Sequence, residues 1–206
     1  MKKSIVVTGA AGYIGGQTAL MLADSGYRVV GIDKSKCPKR LKSVFHEYIE
    51  QDFAHKDSLV KLLIHAPDAI VHCAGTSLVG PSVRHPGRYF ENNVVNTLTL
   101  LDQVRRSMPK TRFIFSSSAA TYGNFCSNPI HESAVQEPMN PYGWSKLMCE
   151  QVIHDHCTAH GYRGIALRYF NACGADSAGT LGHVVDDTHM IPRVLSAYQN
   201  KQVFNL

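Results

Sequence analysis

The tightest constraint on this chain is a turn near its start, Gly9-Ala10-Ala11-Gly12-Tyr13-Ile14-Gly15. It is entered from a short β-branched run, Ser4 to Thr8, and left through Ile14 to Leu22, where apolar residues fall at helical spacing. Each glycine meets a different demand. The first, Gly9, permits the sharp turn, and the second, Gly12, lets backbone N–H groups approach a pyrophosphate. The third, Gly15, lets the helix pack on the strand. A plain strand-to-helix turn needs no glycine at all three places. The helix N-terminus adds donors and a dipole that favours anionic oxygen, so the turn predicts a dinucleotide site.

The same alternation continues along the chain. Apolar runs at Arg28 to Asp33, Glu47 to Glu50, Ala69 to His72, Arg112 to Ser116 and Arg163 to Arg168 predict five further strands. Between them, Lys56 to His65, Tyr89 to Arg106 and Tyr142 to Ala159 predict helices, the second with its apolar face at Val94, Leu98, Leu101 and Val104. Strands alternating with helices predict an α/β, Rossmann-type doubly wound parallel sheet with helices on both faces. After Tyr169 the pattern loosens, and the Gly-, Ala- and Asp-rich stretch from Ala172 to Thr188 reads as loop. The pattern divides the chain into alternating strands and helices over 1–171 and a looser stretch over 172–206.

Composition narrows the class. With 206 residues, 44% hydrophobic and 18% charged, the chain can bury a core and is not disordered. No stretch approaches the roughly 18 apolar residues of a membrane span. The first residues, basic and then apolar, break at Thr8-Gly9, too soon for a signal-peptide core, which predicts a cytoplasmic protein. A net charge of +5 suits an anionic ligand but is too scattered to predict a nucleic-acid partner. Its one basic cluster, Lys34, Lys36, Lys39, Arg40 and Lys42, reads as a solvated loop. Six cysteines, at 37, 73, 126, 149, 157 and 173, lack paired spacing and read as reduced thiols. His154, Cys157 and His160 drift around a helix at successive steps of three and predict no metal site.

Three further features carry chemistry. Asp33 closes the second strand, where a carboxylate accepts from both ribose hydroxyls and repels a 2′-phosphate, which favours NAD over NADP. Lys34 and Lys36 beside it soften that repulsion. Asp52-Phe53, after the third strand, are placed to flank an adenine. Tyr142-Gly143-Trp144-Ser145-Lys146 sets a phenol and an ammonium four residues apart, on one helix face, where the cation favours phenolate. Ser116-Ser117-Ser118 ends the fifth strand, at the edge where α/β sheets bind ligands, and its last hydroxyl can bond the substrate oxygen whose proton the tyrosine takes.

Together these residues resemble the extended short-chain dehydrogenase/reductase family, and within it the UDP-hexose 4-epimerases. The resemblance runs through Val7 to Gly15, His72-Cys73-Ala74-Gly75, Glu91-Asn92-Asn93-Val94 and Phe113 to Gly123. It continues in Asn140 to Lys146 and Leu167-Arg168-Tyr169-Phe170-Asn171. It implies NAD-dependent epimerisation at C4, UDP-galactose to UDP-glucose, through a transient 4-keto sugar. It implies that Tyr13, Ile14, Asp33, Asp52, Phe53, Cys73, Ala74, Gly75, Asn93, Lys146 and Phe170 contact NAD, and Lys34, Ser35, Ser116, Tyr142 and Tyr169 are expected with them. Ser118, Tyr142, Asn171 and His189 are implied at the UDP-sugar, with Ser118, Tyr142 and Lys146 as the catalytic set. A homodimer through the helices Tyr89–Arg106 and Tyr142–Ala159 is implied as well.

Departures qualify this expectation. Ser77 stands where the family often has lysine, and His189 where it often has asparagine. Ala119-Ala120 leaves no general acid where sibling dehydratases carry an acid pair, which excludes that chemistry. The resemblance implies an NAD-binding Rossmann domain over 1–171, and because members of the family are longer chains, 172–206 is expected to be the start of an incomplete substrate-binding domain. A UDP-N-acetylhexosamine or UDP-pentose 4-epimerase, a UDP-glucuronate decarboxylase and a silent NAD-binding protein stay open as alternatives.

Overall fold

The computed structural model describes residues 2–124, 128–182 and 189–204. Cys126 and the end of the expected loop, residues 183–188, lie outside these. Six strands form one parallel sheet in the order β3-β2-β1-β4-β5-β6. They are β1 (Ser4–Thr8), β2 (Arg28–Asp33), β3 (Glu47–Glu50), β4 (Ala69–His72), β5 (Arg112–Ser118) and β6 (Gly164–Tyr169). The first four have the bounds read from the sequence, because each is a short apolar or β-branched run closed by turn residues. β5 runs two residues further, to Ser118, paired with Tyr169 of β6.

Successive strand residues point to opposite faces, and two cores follow from that. Val6, Val30, Ile32, Ile49, Ile70, Phe113 and Phe115 face one way. There they meet Leu62 of helix α2 (Lys56–His65), Leu100, Leu101 and Val104 of α5 (Asn96–Ser107), and Cys149 and Ile153 of α6 (Pro141–His160). Val7 and Val29 face the other way, with Ala19 of helix α1 (Tyr13–Asp24). Helix α1 buries only Gly15, Gly16 and Ala19, so it lies close to the strands through small residues.

The helix expected over Tyr89–Arg106 is not one regular helix. A short turn, α4 (Pro86–Tyr89), leads into a π turn over Phe90–Val95 and then α5. Here the Asn93 carbonyl accepts the Cys149 Sγ–H at 3.1 Å, and the Asn93 side chain bonds Thr76 and Ser145. The buried face of α5 is Thr97, Leu100, Leu101 and Val104, a regular helical stripe, and Leu98, expected inside, is turned to solvent. Helices α3 (Val79–Arg84) and α7 (Met190–Gln199) were not expected from the pattern. The part of 172–188 that is described, through residue 182, is loop as read.

Among the described residues no helix is long and apolar enough to cross a membrane, and no three His, Cys, Asp or Glu side chains group as metal ligands.

Candidate functional site

The strand order reverses direction between β1 and β4, and an open α/β sheet binds ligands at such a switch point, beyond the carboxyl ends of its strands. A cavity of about 820 Å³ lies there. Gly9 follows β1 at φ +69°, and a Cβ on it would stand 2.7 Å from the Ala74 nitrogen after β4. A Cβ on Gly15 would stand 2.1 Å from the Gly9 carbonyl oxygen, so turn and helix approach closer than any side chain allows. Gly12 has only the Gly9 oxygen near its Cβ direction, at 3.2 Å. It sits at the N-cap of α1, which no side chain caps, and both line the cavity.

Asp33 bridges this turn to the end of β2. Its Oδ2 accepts the Ala11 N–H at 3.0 Å and its Oδ1 the Ser35 N–H at 2.8 Å. The carboxylate still lines the cavity, with Lys34, Asp52 and Phe53 beside it. Each of its oxygens has a second lone pair for a ligand hydroxyl.

The far side is set by α6. Asn140 accepts the Gly143 N–H at 2.9 Å and Pro141 takes the first helical position, a start signal that puts Tyr142 in the first turn. Lys146 is buried one turn on. Its Nζ donates to the Ser116 carbonyl at 2.8 Å and stands 4.8 Å from the centre of the Phe115 ring and 5.9 Å from that of Tyr142. Ser118 lines the same cavity, and its Oγ accepts the Ala120 N–H at 3.1 Å.

Beneath lies His72, wholly buried between two threonines. Its Nδ1 is 2.6 Å from Thr8 Oγ1 and its Nε2 is 2.9 Å from Thr97 Oγ1, while Thr8 Oγ1 accepts the Ala74 N–H at 3.2 Å. Burial, with the Lys146 charge adding to it, pushes the imidazole down to about 3, so it is neutral and holds the β4 turn against β1. Cys73 faces the cavity, and burial pushes its thiol up to about 11 against the pull of Lys146 and Ser116.

Of the residues expected at the cofactor or the sugar, Gly9, Gly12, Tyr13, Ile14, Gly15, Asp33, Lys34, Asp52, Phe53, Cys73, Ala74 and Gly75 line this one cavity. Ser116, Ser118, Tyr142, Lys146, Tyr169, Phe170, Asn171 and His189 line it too. Ser35 and Asn93 do not. Ser35 supports Asp33 through its N–H, and Asn93 is buried behind the loop, its Oδ1 accepting the Thr76 N–H at 2.7 Å. Ile191 and Pro192, at the start of α7 beside His189, line the cavity as well. Sequence reasoning missed the wall from Leu78 to Pro81, where α3 begins, and Pro81, near that helix start, was the available signal.

A glycine turn, a half-buried Tyr142 and a buried Lys146 facing one cavity at the switch point of a 3-2-1-4-5-6 sheet define a Rossmann-type nucleotide fold. Comparison with known proteins places the chain more closely. It belongs to the NAD dependent epimerase/dehydratase family, whose profile matches residues 5–206. It is 40% identical over 202 residues to the UDP-glucose 4-epimerase of Rhizobium meliloti (strain 1021), covering 94% of this chain and 60% of that protein. The crystal structure of UDP-glucose 4-epimerase from Brucella ovis in complex with NAD superposes with a TM-score of 0.87 at 41% identity. It covers 97% of this chain and 62% of the other. UDP-N-acetylglucosamine 4-epimerase from Methanobrevibacter ruminantium M1, in complex with UDP-N-acetylmuramic acid, superposes at 0.78 with 31% identity, covering 98% and 64%. The chain thus spans about three fifths of these relatives.

Proposed function

We propose that this chain binds NAD and epimerises a UDP-hexose at C4, interconverting UDP-galactose and UDP-glucose. The observation that carries the reading is that the glycine turn, Asp33 and the Ser118/Tyr142/Lys146 set all open on one cavity. Its donors and acceptors fit NAD. Gly9, Gly12 and Gly15 leave backbone and the α1 terminus for a pyrophosphate, Asp33 offers acceptor lone pairs to a ribose diol, and Phe53 offers an apolar flank.

When bound, the nicotinamide supplies reversible two-electron oxidation of the sugar carbon. Tyr142 takes the proton of the sugar 4-OH and later returns it, with the Lys146 Nζ 5.9 Å from the centre of its ring. Lys146 is aimed by its bond to the Ser116 carbonyl. Ser118 orients the sugar oxygen. The 4-keto sugar turns over between the two half-reactions, so the opposite face of C4 meets the same residues. Residues 1–171 form the NAD-binding part, and Asn171 with 172–206 contributes to the sugar side, where Asn171, His189, Ile191 and Pro192 line the cavity.

The relatives, which include an N-acetylglucosamine enzyme, support a UDP-sugar substrate in general. A silent NAD-binding protein has no use for the Tyr142–Lys146 pair in its cavity. Homodimer formation through α5 and α6 is part of the proposal, supported by Val95, Leu98, Trp144 and Met148 standing exposed on and next to those helices. A monomer in solution scattering overturns that part.

The test is to denature the purified protein and identify any released nucleotide by mass, then assay UDP-galactose with no cofactor added. NAD and turnover are expected. NADP overturns the role given to Asp33. NAD without turnover of any UDP-sugar favours the silent reading.

A further inference from the structure

The three serines that end β5 meet α6 at three levels. Ser116 accepts the Lys146 ammonium through its carbonyl at 2.8 Å. Ser117, on the strand face of Phe113 and Phe115, donates from Oγ to Glu150 Oε1. Ser118 lines the cavity with Tyr142. On the helix Tyr142, Lys146 and Glu150 are spaced by four, so they share one face.

Glu150 is gripped from the other side as well. Arg168 of β6 donates from Nε to both carboxylate oxygens at 3.1 Å and from Nη2 to Oε2 at 2.8 Å. Its Nη1 reaches on to Tyr122 Oη at 2.7 Å and the Glu132 carbonyl at 2.9 Å, and Gln136 Nε2 donates to Glu150 Oε2 at 3.3 Å. One largely buried carboxylate therefore joins α6, the end of β5, β6 and the residue 132–136 segment.

A buried ion pair is weak evidence of stability, since apolar residues of the same volume commonly replace such pairs without loss. Fixed geometry is a different demand, because reacting groups must be held to within about 0.5 Å. We propose that Glu150, clamped by Arg168, is a positioning residue that sets the height of the Ser116–Ser118 end of β5 against α6 through Ser117. With that height it sets the spacing of Ser118, Tyr142 and Lys146. This inference rests on the reading of those three residues as the reacting set.

Ser117→Ala removes the middle contact and leaves Glu150 its bonds to Arg168 and Gln136, so the chain should fold. Glu150→Asp keeps the charge but draws it back by one methylene. In NAD-loaded protein, amide exchange over residues 117–122 should quicken at least about tenfold in both variants, with β1 and β2 unchanged. Turnover should fall about 10- to 100-fold with KM within about twofold. Unaltered exchange over 117–122 in both variants overturns the inference, as does faster exchange with unaltered turnover. If the parent protein turns over no UDP-sugar while exchange responds as expected, the proposed function fails and the coupling of Glu150 to the serines ending β5 stands.

Discussion

The two ends of the sheet are built on different principles. At the β1–β2–β3 end both faces are covered: Val6, Val30, Ile32 and Ile49 lie in the larger core, and Val7 and Val29 lie under α1. The turn there is shaped by what is missing, since no side chain fits at Gly9 or Gly15. At the β5–β6 end one face meets α6, while Ile165 and Leu167 on the other are 54% and 37% exposed. The polar side chains near the cavity at that end are held by hydrogen bonds and an ion pair: Lys146 by Ser116, Ser117 by Glu150, and Glu150 behind it by Arg168. Close packing gives one invariant shape, suited to a cofactor that stays in place. Directed polar bonds aim side chains individually, which proton transfer requires.

If that contrast is right, substitutions at the two ends damage different properties. The largest effect is expected from Tyr142→Phe, which should lower turnover by about 10²- to 10⁴-fold while NAD content and melting temperature hold. A steady-state assay beside a nucleotide-content measurement checks it, and retained turnover would move the proton to another group. Next, Ile32→Ala should cost about 2–5 kcal/mol by leaving a cavity. Ile165→Ala, on the open face, should cost under about 1 kcal/mol. Urea titration of both variants measures the asymmetry, and equal losses would mean that the β6 face is covered in solution.

Gly15→Ala should overpack the turn by about 1–3 kcal/mol and weaken NAD binding at least about tenfold, measured by calorimetry on the folded fraction. Its turnover at saturating NAD should suffer far less than that of Tyr142→Phe, which sharpens the division of labour.

A last effect, read from pH rather than from substitution, joins the two ends. His72, between Thr8 and Thr97, is driven well below its ordinary 6.5, to about 3, by burial and then by Lys146. Unfolding frees it to take a proton, so stability present above pH 6.5 is lost as pH falls toward 3, on the order of 1 kcal/mol per unit. Glu150 is raised by burial, but the bonds from Arg168 and Ser117 outweigh this and hold it below 4.5. Its contribution is present above 4.5 and is lost only as pH falls through the folded value. Between pH 6.5 and 4.5 the decline therefore belongs to His72, and His72→Gln should flatten it in denaturant titrations.

Much of the fold was legible because local signals agreed. Four strands are β-branched or apolar runs with the observed bounds, and α2 spans Lys56–His65 as read. The cavity set was legible where a residue sits next to a strand end or a helix start, as Asp33, Ser118 and Tyr142 do. The reading failed where a distant partner decides. Leu98 fitted a helical period, but the π turn at Phe90–Val95 precedes α5, and the stripe that is buried runs through Thr97, Leu100, Leu101 and Val104. Asn93 and Ser35, expected at the cofactor, do not line the cavity; Asn93 bonds Thr76, a partner that only the fold brings to it, and Ser35 bonds the Asp33 carboxylate. Glu150 drew no notice and Arg168 figured only within a strand motif, since a lone Glu on a helix and a lone Arg on a strand have no sequence signature as a pair.

By itself, then, the sequence determined the order of strands and helices, the glycine turn and the Tyr142–Lys146 spacing, all settled within a few residues by backbone sterics and periodicity. Only the tertiary structure decided which side chains share the cavity, that Asn93 stands behind it, and that Glu150 joins Ser117 to Arg168. The Asn93–Cys149, Ser117–Glu150 and Glu150–Arg168 contacts join residues 56, 33 and 18 positions apart, and the parallel pairing of β4, β5 and β6 with α6 packed across them is what brings such residues within hydrogen-bond reach.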